Sequence, residues 1–149
     1  MEKRYYQYCM RLMVALLLLT EGCKKAPINN EIEGMWKLEE FTTHEDGEKH
    51  ACKRIYYSIQ LWVVDIAEKQ GGHGYKSSVG RLNYKSNNTL IMKDFHYRKQ
   101  TTDNKEKTSV EDLIPFGLNS LETTFEIIKV DGHNLILCSD YATLHFTKF

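Results

Sequence analysis

Three short strands joined by two tight turns fill the last 27 residues of this 149-residue chain, and no other feature narrows its fold so far. Thr123 to Val130 reads as a strand, Asp131-Gly132 as a hairpin turn, and Asn134 to Cys138 as the return strand. Ser139-Asp140 turns the chain again, and Ala142 to Phe149 is the third strand. Side chains alternating with period two bury one face and wet the other, so antiparallel neighbours of this kind share one apolar side.

The same pattern runs upstream. Gly34 to Phe41 alternates and ends in the polar stretch Thr42 to Lys49. Arg54 to Ile66 is the longest strand candidate, with Ile55, Tyr57, Ile59, Leu61 and Val63 as one apolar face. Gly71-Gly72-His73-Gly74 breaks the chain, Val79 to Lys85 resumes it, and Ser86-Asn87-Asn88 turns it into Thr89 to Tyr97. Residues 98–110 are polar and charged, and Val110 to Leu118 is interrupted by Pro115 and Gly117. Seven strands result, with no helix after the N-terminal segment, and an eighth has to come from residues 98–122. The expected class is all-β: an up-and-down antiparallel barrel of about eight strands, or a sandwich. A barrel removes the exposed edges by closure.

The N-terminus has a different logic. Lys3, Arg4 and Arg11 precede the apolar run Leu12 to Leu19, which is the secretory pattern and is too short for a bilayer, whose span needs about 20 residues. Residues 1–22 therefore read as a signal peptide, helical in its apolar run, residues 23–31 as a polar tether, and residues 32–149 as one domain with a single modest core. Thr20-Glu21-Gly22-Cys23 resembles the lipobox of bacterial lipoproteins, in which the Cys is acylated and becomes the mature N-terminus. The resemblance implies lipidation of Cys23 and a membrane partner through its acyl chains. With Lys24 where the inner-membrane retention signal has Asp, it also implies the outer membrane, on the periplasmic side.

Composition closes several doors. The chain has 20 basic and 20 acidic residues, and loss of residues 1–22 leaves 17 against 18, so no charge excess draws it to nucleic acid. His44, Glu45, Asp46, Glu48, His50 and Cys52 share one loop without the spacing of a zinc motif, so no metal site is expected. The Gly71–Gly74 run lacks the Lys-Ser/Thr of a phosphate loop, and Asp94 and His96, on one strand face, have no serine elbow near them. No enzyme and no cofactor are expected. Of four cysteines, Cys9 leaves with the signal, and Cys52 and Cys138 fall at one rim of an eight-strand barrel. They are a candidate disulfide, or two separate thiols.

Gly34-Met35-Trp36 on the first strand is similar to the Gly-x-Trp signature of the lipocalins, and Ser139-Asp140-Tyr141 to their Thr-Asp-Tyr turn. With the closing strand Leu144 to Phe149, residues 32–149 resemble the short lipocalin-like lipoproteins of Gram-negative gut bacteria. The resemblance implies a barrel closed at one end by Trp36 and a small, partly apolar ligand inside it. Trp36, Tyr57, Ile59, Leu61, Phe125 and Ile127 are the candidate interior contacts. The same alternation describes a filled core without a cavity, and then the chain is a scaffold or interaction subunit of an envelope protein complex.

Overall fold

The computed structural model describes residues 31–98 and 106–149. The signal peptide and Cys23 lie outside the described residues. Eight antiparallel strands close into a barrel: β1 (Gly34–Thr43), β2 (Lys49–Gln60), β3 (Val63–Glu68), β4 (Ser78–Ser86), β5 (Thr89–Tyr97), β6 (Thr123–Val130), β7 (Asn134–Cys138) and β8 (Ala142–Lys148). Each pairs with the next, and β8 returns to β1. Of the barrel and the sandwich that the alternation allows, the chain forms the up-and-down barrel.

The eighth strand does not come from residues 98–122. The expected strand Arg54–Ile66 is two strands, because the chain reverses at Leu61-Trp62 between the paired residues Gln60 and Val63. Leu61 has a φ of 54° there, a backbone position that hairpins normally give to Gly. The apolar face therefore stops at Ile59. Ile55, Tyr57 and Ile59 are buried, while Leu61 and Val63 are 36% and 46% exposed. At its other end β2 begins five residues before Arg54, so Cys52 lies in a strand rather than in a loop.

Strand irregularities bend the wall. Glu39 is extra between Leu38, opposite Phe146, and Glu40, opposite His145. It accepts hydrogen bonds from Lys37 Nζ at 2.8 Å and Thr147 Oγ1 at 2.7 Å, outside the core. Gly80 sits where β4 shifts register, and a Cβ there would stand 2.7 Å from the Phe95 ring and 3.0 Å from the Lys93 carbonyl oxygen. Phe95 can fill the interior only because position 80 has no side chain.

The two ends differ. At one, Trp36 is fully buried, its Nε1 donates to the Ile32 carbonyl at 2.8 Å, and Lys148 Nζ lies 4.1 Å from its ring centroid. Trp36 and Ile32 close that end. The other end gathers the β1–β2, β3–β4, β5–β6 and β7–β8 connections. β6 pairs with β5 only over Thr89–Met92, leaving the upper half of β5 without it. Residues 107–118 fill that gap. They form a bridge at Lys107, a turn, and a 3-10 turn Ile114–Phe116 that inserts Leu113, Phe116 and Leu118, all fully buried. Pro115 and Gly117, which break any longer element, are what allow this plug. Gly117 ends it at φ 81° against Phe41 and Leu144.

Candidate functional site

Large side chains occupy the interior. Trp36, Tyr57, Ile59, Phe125 and Ile127 belong to one buried cluster with Leu38, Ile66, Phe95 and Phe116. Tyr57, fully buried, donates from Oη to the Phe116 carbonyl at 2.6 Å and sets its ring edge-on to Phe146 at 4.9 Å. Burial, with Cys52 beside it, pushes the Tyr57 phenol well above its ordinary pKa, so it stays a proton donor. Trp36, Tyr57 and Phe125 are fully buried, Ile59 and Ile127 nearly so, and Leu61 lies at a hairpin tip with 36% of its surface exposed. Alternation marks which face is inward, and large side chains on that face pack the middle of a small barrel.

Open space lies above this core, at the end opposite Trp36. A cavity of about 450 Å³ is floored by Ile55 and walled by Phe41, Ile114 and Pro115. Its polar side carries His50, Lys53, His73, Tyr75 and Tyr141, with Cys52 and Ala51 between. No Asp or Glu lines it.

Each polar side chain is positioned by its own segment. The bulged start of β2 turns His50 inward, where its ring stacks on Phe41 at 4.6 Å. The Gly-rich β3–β4 connection is organised by Glu68, whose side chain is 3% exposed. That carboxylate accepts from the amides of His73 at 3.2 Å, Gly74 at 3.0 Å and Tyr75 at 3.2 Å, and contacts His73 Nδ1 at 2.5 Å. Desolvation opposes its charge, yet the bonds from His73 and Tyr75 outweigh it and hold the carboxyl below its ordinary pKa. His73 in turn stacks flat on Tyr75 at 4.9 Å, and Tyr75 meets Phe116 edge-on at 6.1 Å. A string of rings thus joins the β3–β4 connection to the plug.

Tyr141 comes from the β7–β8 turn, where Ser139 Oγ accepts from the amides of Tyr141 at 3.3 Å and Ala142 at 3.1 Å. Burial, with Asp46 and Glu45 near it, raises the Tyr141 pKa. Cys52 is no thiolate: burial, then Glu39 and Glu40, pushes its thiol up to about 11.

Other expectations resolve as follows. Cys52 and Cys138 are free. Between them lie β1 and β8, three strand steps at about 4.8 Å each, where a disulfide needs Cα atoms within about 7 Å. The polar loop disperses instead of converging. His44 reaches the Asp140 carbonyl and Thr143 Oγ1, while Asp46 takes the Glu48 amide. Among the described residues no group of three or more His, Cys, Asp or Glu is placed to hold a metal ion. His96 Nδ1 lies 2.8 Å from the Asp94 carbonyl, not from its carboxylate.

Sequence reasoning misses the mouth. Lys53, Tyr75, Ile114 and Pro115 carry no motif, Tyr141 enters only as part of a turn signature, and His50 and His73 read as loop residues. Their only shared signal is that aromatic and imidazole side chains recur in the connections of one barrel end.

The geometry agrees with comparison to known proteins. No curated protein matches the chain in sequence. A lipocalin-like protein from Bacteroides uniformis ATCC 8492, known from a crystal structure at 1.79 Å, superposes with a TM-score of 0.59 at 17% identity. The match covers 80% of this chain and 99% of that one. An uncharacterized protein from Bacteroides eggerthii DSM 20697 gives a TM-score of 0.52 at 18% identity, covering 78% and 98%. At these identities the likeness is one of fold. The lipocalin-like domain family matches residues 16–149, nearly the whole chain and every strand of the barrel, and the chain belongs to that family.

Proposed function

We propose that this chain is an envelope lipoprotein whose barrel mouth holds a small, partly apolar molecule bearing an anionic end, without converting it. Acyl chains on Cys23 anchor it in the outer membrane, on the periplasmic side. The mouth cavity carries this reading. Its volume falls within the roughly 300–1,000 Å³ usual for small-molecule sites, and its walls divide into an apolar side and a side of cation and hydrogen-bond donors. Phe41, Ile55, Ile114 and Pro115 suit a hydrocarbon, whereas Lys53, His50, His73 and the tyrosine hydroxyls suit a carboxylate or similar group. No carboxylate lines the cavity itself, and Glu68, behind His73, and Glu45 and Asp46, near Tyr141, stand outside its wall.

A cavity-free scaffold accords with the filled interior but gives the hollow mouth no role. Calorimetric titration with decanoate and decanol tests the reading. Decanoate should bind about tenfold more tightly, equivalent to about 1.4 kcal/mol, and Lys53→Gln with His73→Gln should erase that difference. Equal affinities would remove the anionic assignment, and no binding of either probe would remove the carrier.

A further inference from the structure

The end closed by Trp36 carries a feature the fold does not need. The β2–β3 tip is Leu61-Trp62, followed by Val63, and the three are 36%, 48% and 46% exposed. A two-residue hairpin is most easily made with Asn-Gly or Gly-X. Here Leu61 holds a positive φ that side chains resist, and its neighbour presents a half-exposed indole that meets the Tyr84 ring edge-on at 6.3 Å. Local preference is overridden and apolar surface exposed, while none of the three side chains joins the buried core. Such conflicts concentrate at functional places.

The tip also lies where the preceding chain reaches the barrel. Glu33 Oε1 accepts the Leu61 amide at 3.3 Å. Cys23 stands eight residues before Glu31, and that length fully extended spans at most about 28 Å. An anchor at Cys23 therefore attaches the barrel at this end rather than at the mouth, within about 28 Å of the bilayer. Charge at this end is mixed, with Glu33 and Asp131 beside Lys148 and Lys129, and Arg81 opposite Val63, so neither sign dominates. Indole rings favour the layer between headgroups and acyl chains.

We propose that the Leu61-Trp62 tip docks in the interfacial layer of the lipid bilayer, seating the barrel on its Trp36 end with the mouth turned away. The docking rests on the reading of Cys23 as a lipid anchor. The two tryptophans make it measurable, since Trp36 is fully buried and only Trp62 can meet a quencher.

The full chain, purified from its host's membranes, is reconstituted into phosphatidylcholine vesicles with brominated acyl chains, and its fluorescence is compared with that of Trp62→Phe. Flotation reads the anchor, and quenching reads the tip. Docking is supported if brominated lipid quenches the wild-type chain several-fold more than Trp62→Phe and added salt leaves the difference unchanged. It is overturned if the chain floats while acrylamide reaches Trp62 as freely as without vesicles. It is equally overturned if native mass spectrometry shows a dimer that protects Trp62 without lipid. A chain that does not float refutes the anchor alone; excess vesicles then decide the tip, with quenching of Trp62 supporting docking and its absence ending it.

Discussion

The Tyr57 hydroxyl donates to the Phe116 carbonyl oxygen across 59 residues of sequence, at 2.6 Å, in a place no solvent reaches. This bond ties a strand of the wall to the plug that closes the gap between β5 and β6, and it lies just beneath the mouth cavity. Tyr57→Phe keeps the ring and its contact with Phe146 but leaves a buried carbonyl without that donor. The expected loss is about 1–3 kcal/mol, read as a lower urea midpoint with unchanged slope. Amides of Phe116, Gly117 and Leu118, which close the 3-10 turn on Leu113 and Ile114, should exchange faster while those of β1 and β8 do not. Uniform acceleration would mean that the bond supports the barrel as a whole.

Gly80 offers a test of packing. An added methyl meets the Phe95 ring at 2.7 Å and the Lys93 carbonyl at 3.0 Å, one a buried side chain and the other backbone. Gly80→Ala should therefore destabilise by about 1–3 kcal/mol, the usual cost of overpacking. Phe95→Leu in the same chain should recover part of that loss, since it vacates the nearer obstacle. A thermal scan of the two variants and the double variant checks both statements.

How much of the fold is legible in the sequence depends on which force sets each feature. The wall is legible because burial sets it: Trp36, Leu38, Ile55, Tyr57 and Ile59 alternate in sequence and face inward in the barrel. The Leu61-Trp62 turn is not, because neither residue signals a turn and continuous apolar alternation crosses it. The start of β2 is hidden by Lys49, Lys53 and Arg54, whose charges read as loop yet belong to a strand. Residues 107–118 are legible only as irregular. Their role depends on a gap between β5 and β6 that no local pattern announces. The mouth is illegible for the same reason, since His50, His73, Ile114 and Tyr141 converge from four separate segments.

Acid should loosen the plug before it unfolds the barrel. Bonds from Tyr97 and Lys76 hold the Asp112 carboxyl below its ordinary pKa, with Ser109 adding a third donor. Glu68 and Asp131 are lowered as well, while burial raises Asp65. A lowered carboxyl stays ionised in the folded chain where the unfolded chain binds a proton. Its stabilisation is complete above the unfolded value, near pH 4, and fades as pH falls through the folded value. Asp65 acts in the opposite sense and softens the slope. Urea midpoints should thus fall between about pH 5 and pH 2. Asp112→Asn should show a shallower fall, with faster exchange near Leu113 already at pH 7, and a slope equal to wild type would separate Asp112 from acid stability.

The two cysteines give the last test, because their separation and their chemistry make different forecasts. Three strand steps keep Cys52 and Cys138 from pairing, so the protein held in an oxidising buffer should still carry both as thiols, seen by mass spectrometry after alkylation in denaturant. In the folded state Cys52 should be nearly inert. Its pKa of about 11 stands about two units above an ordinary thiol, so its thiolate population is lower by about a hundredfold. Iodoacetamide at pH 8 should modify Cys52 slower by about that factor than it modifies the same residue in denaturant. The cause can be separated from simple occlusion: raising the pH to 9 should speed the folded-state reaction about tenfold, as thiolate chemistry requires. A rate indifferent to pH would show that access through the mouth, not ionisation, guards the sulfur.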